Sequence, residues 1–200
     1  MITALAQIIS GYLIKNKIID NTKLDIYIYG FEIMISNIIC FGMGLVIGAV
    51  CSEFIECILF LIVFILLRRY CGGYHAETYL KCDIIFMINI LLVMLMLKFI
   101  SAYSLFFHFI IAIISIIFII LLAPVENKYK PLTQKEKKRH KILAIITNIL
   151  IISVSSAMYF IITKFALTID ISVTTVVLSM GIEVLKKGSV KNEKYEKSNS

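Results

Sequence analysis

Two hundred residues with 60% hydrophobic and 16% charged side chains, no tryptophan and a mean hydropathy of +0.95 exclude an ordinary soluble domain, in which about a quarter of residues carry charge. The length accommodates one membrane-embedded domain over residues 1–200, with no second soluble domain and no nucleic-acid partner expected. The net charge of +7 is carried mainly between apolar runs, where it suits a lipid surface or an acidic partner.

The chain opens on Ile2–Ile14, in which Ile2, Leu5, Ile9 and Leu13 recur at helical spacing. No basic residue precedes the stretch, and Lys15 and Lys17 follow it, the reverse of a secretory signal. Gly11, Lys15, Asn16 and Lys17 interrupt it as a span. Residues 1–20 are therefore expected to form an amphipathic helix in the plane of the membrane interface.

Six apolar runs follow: Ile26–Cys51, Phe54–Leu67, Ile84–Leu97, Ser104–Ala123, Ile142–Thr163 and Leu167–Leu185. A spanning helix needs about 20 residues, so the expected fold is an all-α integral membrane protein with a six-span core over 26–185. The second and third runs are short and reach full length only by borrowing from Arg68–Asp83. That polar stretch is thus expected to enter the membrane boundary as a bent or re-entrant segment around 70–83, where irregular backbone must be packed in protein or line a wet cavity.

Six spans put the N-terminus, the 68–83 segment, the 124–141 loop and the tail 186–200 on one side of the membrane. Only Lys98 and Lys164 of the 20 basic residues then fall on the other side, and this asymmetry makes the basic side cytoplasmic. The 124–141 loop, with Lys135, Lys137, Lys138 and Arg139, is both a topological anchor and a candidate dock for an acidic segment. The tail is expected to be polar and mobile.

Arg68-Arg69-Tyr70-Cys71-Gly72-Gly73-Tyr74-His75, followed by Cys82, is the densest polar stretch of the front half. A thiol is a poor nucleophile until a base or a positive field produces thiolate, and a neighbouring imidazole also supplies a proton for a leaving amine. His75 and Cys82 form one such pair. Cys71, directly after two arginines, is a competing nucleophile, and a metal site from Cys71, His75 and Cys82 lacks both a fourth ligand and the usual spacing. On a straight helix a seven-residue step separates the pair by about 10.5 Å along the axis, so a break between His75 and Cys82 is expected, with Gly72-Gly73 supplying freedom upstream. His108, among Phe106, Phe107 and Phe109, reads as an interfacial or packed residue and His140 as a solvated one. The five cysteines show no paired spacing, and no disulfide framework, cofactor or metal is expected.

Arg-Arg-Tyr-Cys-Gly-Gly-Tyr-His-Ala at 68–76, the step from His75 to Cys82 and Ala-Pro-Val-Glu-Asn-Lys at 123–128 resemble the accessory gene regulator protein B (AgrB) family of quorum-sensing membrane endopeptidases. The resemblance implies a cysteine endopeptidase with His75 and Cys82 as its catalytic pair; it identifies no third member, and Glu77 and Asp83 as residues orienting the imidazole stand beside a two-residue dyad. It implies as substrate an AgrD-like propeptide whose acidic C-terminal extension is removed and whose remainder is closed into a thiolactone or lactone. It also implies a homodimer in the bacterial cell membrane. Arg68, Arg69 and the four basic residues of the 124–141 loop are candidate contacts for that substrate.

A transporter or peptide exporter is the rival class, because Glu32, Glu56 and Glu183 lie in or beside apolar runs. Their positions near run ends and the lack of repeated, broken half-helices speak against it.

Overall fold

A computed structural model describes residues 2–16, 18–73, 78–100, 103–126 and 132–198. It is built from helices: α1 (Ile2–Lys15), α2 (Leu24–Val50), α3 (Phe54–Cys71), α4 (Tyr79–Phe99), α5 (Leu105–Leu122), α6 (Gln134–Ile161) and α7 (Thr163–Ser198), with a short 3₁₀ turn at Asn21–Lys23. Among the described residues the only strand-like pairing is an isolated bridge between Gly72 and Val125.

Five of the helices, α2 and α4 to α7, are long and apolar enough to cross a membrane. The remaining long helix, α3, has 18 residues and carries Glu56, Arg68 and Arg69 towards its ends, with an uninterrupted apolar stretch between them. At 14 residues α1 is about 21 Å long, short of the ~30 Å hydrocarbon core. It turns Ala6 and Ser10 inward and leaves Leu5, Ile8 and Tyr12 outward, packing on α2 through its small side chains.

The centre of the bundle is the pair α3 and α7. Phe60, Leu67 and Cys71 of α3 and Val173, Val176 and Met180 of α7 are fully buried. Close approach of α2 to α3 depends on glycine: a Cβ on Gly48 would collide with Cys57, and the Cys57 thiol donates to the Gly44 carbonyl at 3.3 Å. Small residues are how helices approach in a membrane, where apolar burial alone gives little drive to associate.

Contacts between helix ends show that the chain alternates direction. Lys164, at the start of α7, lies 2.5 Å from Glu53 and 3.2 Å from Glu56, so the α2–α3 and α6–α7 turns share one end of the bundle. At the other end the Val125 amide donates to the Cys71 carbonyl at 2.8 Å, closing α5 onto α3.

The short second and third runs do borrow from the polar stretch between them, α3 extending to Cys71 and α4 opening at Tyr79. Two other boundaries differ from expectation. Residues 134–141, expected as loop, are the first two turns of α6. Thr133 caps them, its hydroxyl accepting from the Glu136 amide while the Glu136 carboxylate accepts from the Thr133 amide, a reciprocal capping box. The tail expected to be mobile continues α7 to Ser198. Its Lys and Glu content favours helix, and no proline stops it.

Candidate functional site

Three elements meet at the basic end of the bundle. Helix α3 brings Arg68 and buried Cys71; its exit is the Gly72-Gly73 pair with φ of +74° and +144°. Those angles suit glycine alone among common residues. Space makes the same demand, because a Cβ on Gly72 would strike the Val125 carbonyl oxygen and one on Gly73 would lie 2.6 Å from the Ser179 hydroxyl of α7. The two sequence motifs, around 68–76 and 123–128, therefore touch: one supplies the glycine turn and the other the backbone that fills it.

Thr78, extended at φ −129° and ψ 149°, caps α4 and accepts from the Lys81 amide. Cys82 follows in the first turn, its amide bonded to the Thr78 carbonyl at 3.1 Å, and its side chain is half-buried. No continuous helix joins residues 72 to 97, as expected. His75 and Glu77 fall outside the described residues. Asp83 turns towards α2, where both carboxylate oxygens lie within 2.9 Å of the Ser36 hydroxyl.

Charge at this end has a definite arrangement. The Arg68 guanidinium sits over the Phe64 ring, 5.3 Å from its centroid, and within electrostatic range of the Cys82 thiol and the Glu183 carboxylate. Arg69 is exposed and lies over Tyr70. Of the two candidate nucleophiles, Cys71 is fully buried against apolar neighbours, whereas Cys82 is half-buried at the start of α4. All five cysteines are free.

The basic residues of α6 divide. Lys135, Lys138 and Arg139 line an open hollow of about 310 Å³ floored by Ile142 and Leu143. Lys137 instead pairs with Glu126 at 3.0 Å, and Glu126 also accepts from the Leu132 amide. His140 is not simply solvated; its ring meets Tyr70 edge-on at 6.0 Å, tying α6 to the end of α3.

These motifs and their setting can be compared with known proteins. The model of the family "Accessory gene regulator B" matches residues 6–185. The chain belongs to the AgrB family. It is 31% identical over 146 residues to "Putative AgrB-like protein 2" of Clostridium perfringens strain 13, covering 68% of each chain. It is 29% identical over 165 residues to "Putative AgrB-like protein" of Clostridium perfringens strain SM101, covering 78% of this chain and 77% of that one. No solved structure matches it. Family and apolar helices together make it a multi-pass membrane protein with a role in autoinducing-peptide processing.

Sequence reasoning missed a second polar cluster, near the opposite end of the bundle. His108 of α5 and Asp170 of α7 are both buried, with Nδ1 2.6 Å from Oδ2. Nε2 lies 2.8 Å from the Ser156 hydroxyl of α6, Ser155 donates to the other carboxylate oxygen at 2.8 Å, and Tyr103 donates to Oδ2 at 2.5 Å. Burial, followed by the bond to Asp170, pushes the Tyr103 phenol above its ordinary range. The signal was present: Asp170 is an acid within the last apolar run, and His108 stands at a similar depth in the fourth. Each was individually unremarkable, and only the packing of α5, α6 and α7 joins them.

Proposed function

We propose that this AgrB family member is a cysteine endopeptidase that cleaves the C-terminal extension from an AgrD-like propeptide and promotes ring closure of the product. The observation that carries the proposal is the non-helical backbone at Gly72, Gly73 and Thr78, with half-buried Cys82 in the first turn of α4 within electrostatic range of Arg68. The first turn of a helix is a setting in which cysteine serves as a nucleophile.

In the proposed reaction the Cys82 thiol gives its proton to His75, and the sulfur attacks the carbonyl at the future ring terminus. As the tetrahedral adduct collapses, the imidazolium returns the proton to the departing amine. The extension leaves, and a thioester joins the peptide to Cys82. An internal thiol of the peptide then attacks the thioester carbonyl and expels the Cys82 sulfur, giving a thiolactone; a hydroxyl would give a lactone. Thioester exchange conserves the reactive bond, and prealignment contributes effective molarities on the order of 10⁵ M or more. Water must be kept out, since hydrolysis would destroy the intermediate. Glycines 72 and 73, packed on Val125 and Ser179, support such enclosure.

The basic end is assigned to the cytoplasm on the lysine and arginine asymmetry, and the hollow on α6 to the acidic extension. A homodimer in the cell membrane completes the proposal.

Cys82→Ala and His75→Ala should each abolish release of the C-terminal fragment, and Cys82→Ser should slow turnover or trap an ester visible as added mass. Continued cleavage by either alanine variant would remove the dyad.

A further inference from the structure

Asp83 neighbours the proposed nucleophile, which makes it an obvious candidate to orient the imidazole. Its surroundings point elsewhere. Ser36 of α2 is 4% exposed, and its hydroxyl lies 2.9 and 2.8 Å from the two Asp83 carboxylate oxygens. One turn on, the buried Cys40 thiol reaches the Asp83 backbone carbonyl at 3.9 Å, and a turn beyond that Gly44 accommodates the Ile90 side chain of α4. Ser36, Cys40 and Gly44 thus form one face of α2 that grips α4 from its first turn inward, and the carboxylate is the polar end of the grip.

The consequence is rotational. Successive residues differ by about 100° around a helix axis, so fixing the direction of Asp83 fixes that of Cys82. Misplacing a reacting atom by about 1 Å costs on the order of 100-fold. We infer that Ser36 and Asp83 form a positioning pair that sets the direction of the Cys82 sulfur, and that Asp83 does not serve as the acid partner of His75. The inference rests on the reading of Cys82 as the nucleophile.

The experiment combines kinetics with amide hydrogen exchange on the full-length protein in lipid nanodiscs. Ser36→Ala and Asp83→Ala should each lower kcat about 10- to 100-fold with KM changed less than threefold, and the double variant should be no worse than the poorer single one. Exchange over residues 79–83 should rise in both alanine variants. Ser36→Thr, which keeps the hydroxyl, should recover most of the loss and restore slow exchange. Asp83→Asn still accepts from Ser36, so it should lose less than Asp83→Ala and leave the pH profile of kcat/KM unshifted. A displaced pH profile in Asp83→Asn, with Ser36→Ala unaffected, would make Asp83 the partner of His75. Additive losses, unchanged exchange, or raised exchange with normal kcat would equally overturn the pair. Failure of the dyad itself would show separately, as cleavage by Cys82→Ala, and the exchange result would still report on the grip of α2 on α4.

Discussion

The Val125 amide donates to the Cys71 carbonyl at 2.8 Å, so the end of α5 is stitched to the last residue of α3. The glycine turn that follows Cys71 has no spare room against that stitch. Gly72→Ala meets both a steric and a conformational barrier, since its φ is +74° and a Cβ has no place beside the Val125 oxygen. Strain of this kind costs about 1–3 kcal/mol. The expected outcome is a lower Tm in detergent and at least a tenfold loss of fragment release. A Gly72→Ala protein with normal turnover would show that this turn is not coupled to the chemistry.

Arg68 and Arg69 are adjacent in sequence but unlike in setting. Arg68 lies over Phe64 within electrostatic range of Cys82 and Glu183, and Arg69 is exposed over Tyr70. Arg68→Gln is expected to slow iodoacetamide alkylation of Cys82 and to reduce kcat/KM about tenfold, equivalent to ~1.4 kcal/mol. Arg69→Gln should change alkylation less than twofold. Peptide-level mass spectrometry of labelled Cys82 measures both, and equal effects would mean that only the total charge of the segment matters.

The hollow on α6 makes a salt-dependent claim. Replacing Lys135, Lys138 and Arg139 together by Gln should raise KM for a precursor with an acidic extension about tenfold at low ionic strength, with kcat within twofold. The difference should shrink as salt is added, because exposed charges are screened over about 10 Å at 0.1 M. Lys137→Gln should behave differently. It leaves the hollow intact and breaks only the partly exposed pair with Glu126, which still accepts from the Leu132 amide, so KM should change less than twofold at any salt concentration.

The Asp170 carboxylate joins α5, α6 and the α4–α5 connection through His108, Ser155 and Tyr103. Removing one partner of a buried hydrogen bond costs about 1–3 kcal/mol, because the other is left unsatisfied. Asp170→Ala and His108→Ala should each lower Tm substantially, and the double variant should be less destabilised than the sum of the two. Thermal unfolding in micelles followed with a thiol-reactive dye gives the answer. A Tm within a degree of the parent in Asp170→Ala would show that the cluster contributes little to holding the helices together.

Much of this architecture could be read from the chain because a bilayer leaves few options. Uninterrupted apolar runs must become helices, and lysine placement orders their ends. The helix end at Cys71 was legible too, since the Gly72-Gly73 pair that follows it favours a turn. Three things were not. Helix formation at 134–141 depended on a Thr133–Glu136 cap, a short-range signal hidden in a charge run. Asp170 and His108 are 62 residues apart in sequence, and nothing local marks them as partners. Asp83 was a candidate through its neighbour in sequence, and nothing local pointed to its hydrogen bond with Ser36, 47 positions earlier.

Helix α7 passes without interruption from Asp170 to Ser179 and Glu183, a stretch of about 20 Å at 1.5 Å per residue. Its near portion is pinned by the histidine cluster, and its far portion abuts Gly73 and faces Arg68. A rod held at two points has no independent play at either. Displacing α7 at Gly73 would therefore have to stretch the hydrogen bonds that Asp170 makes, so one helix joins the two ends of the bundle mechanically.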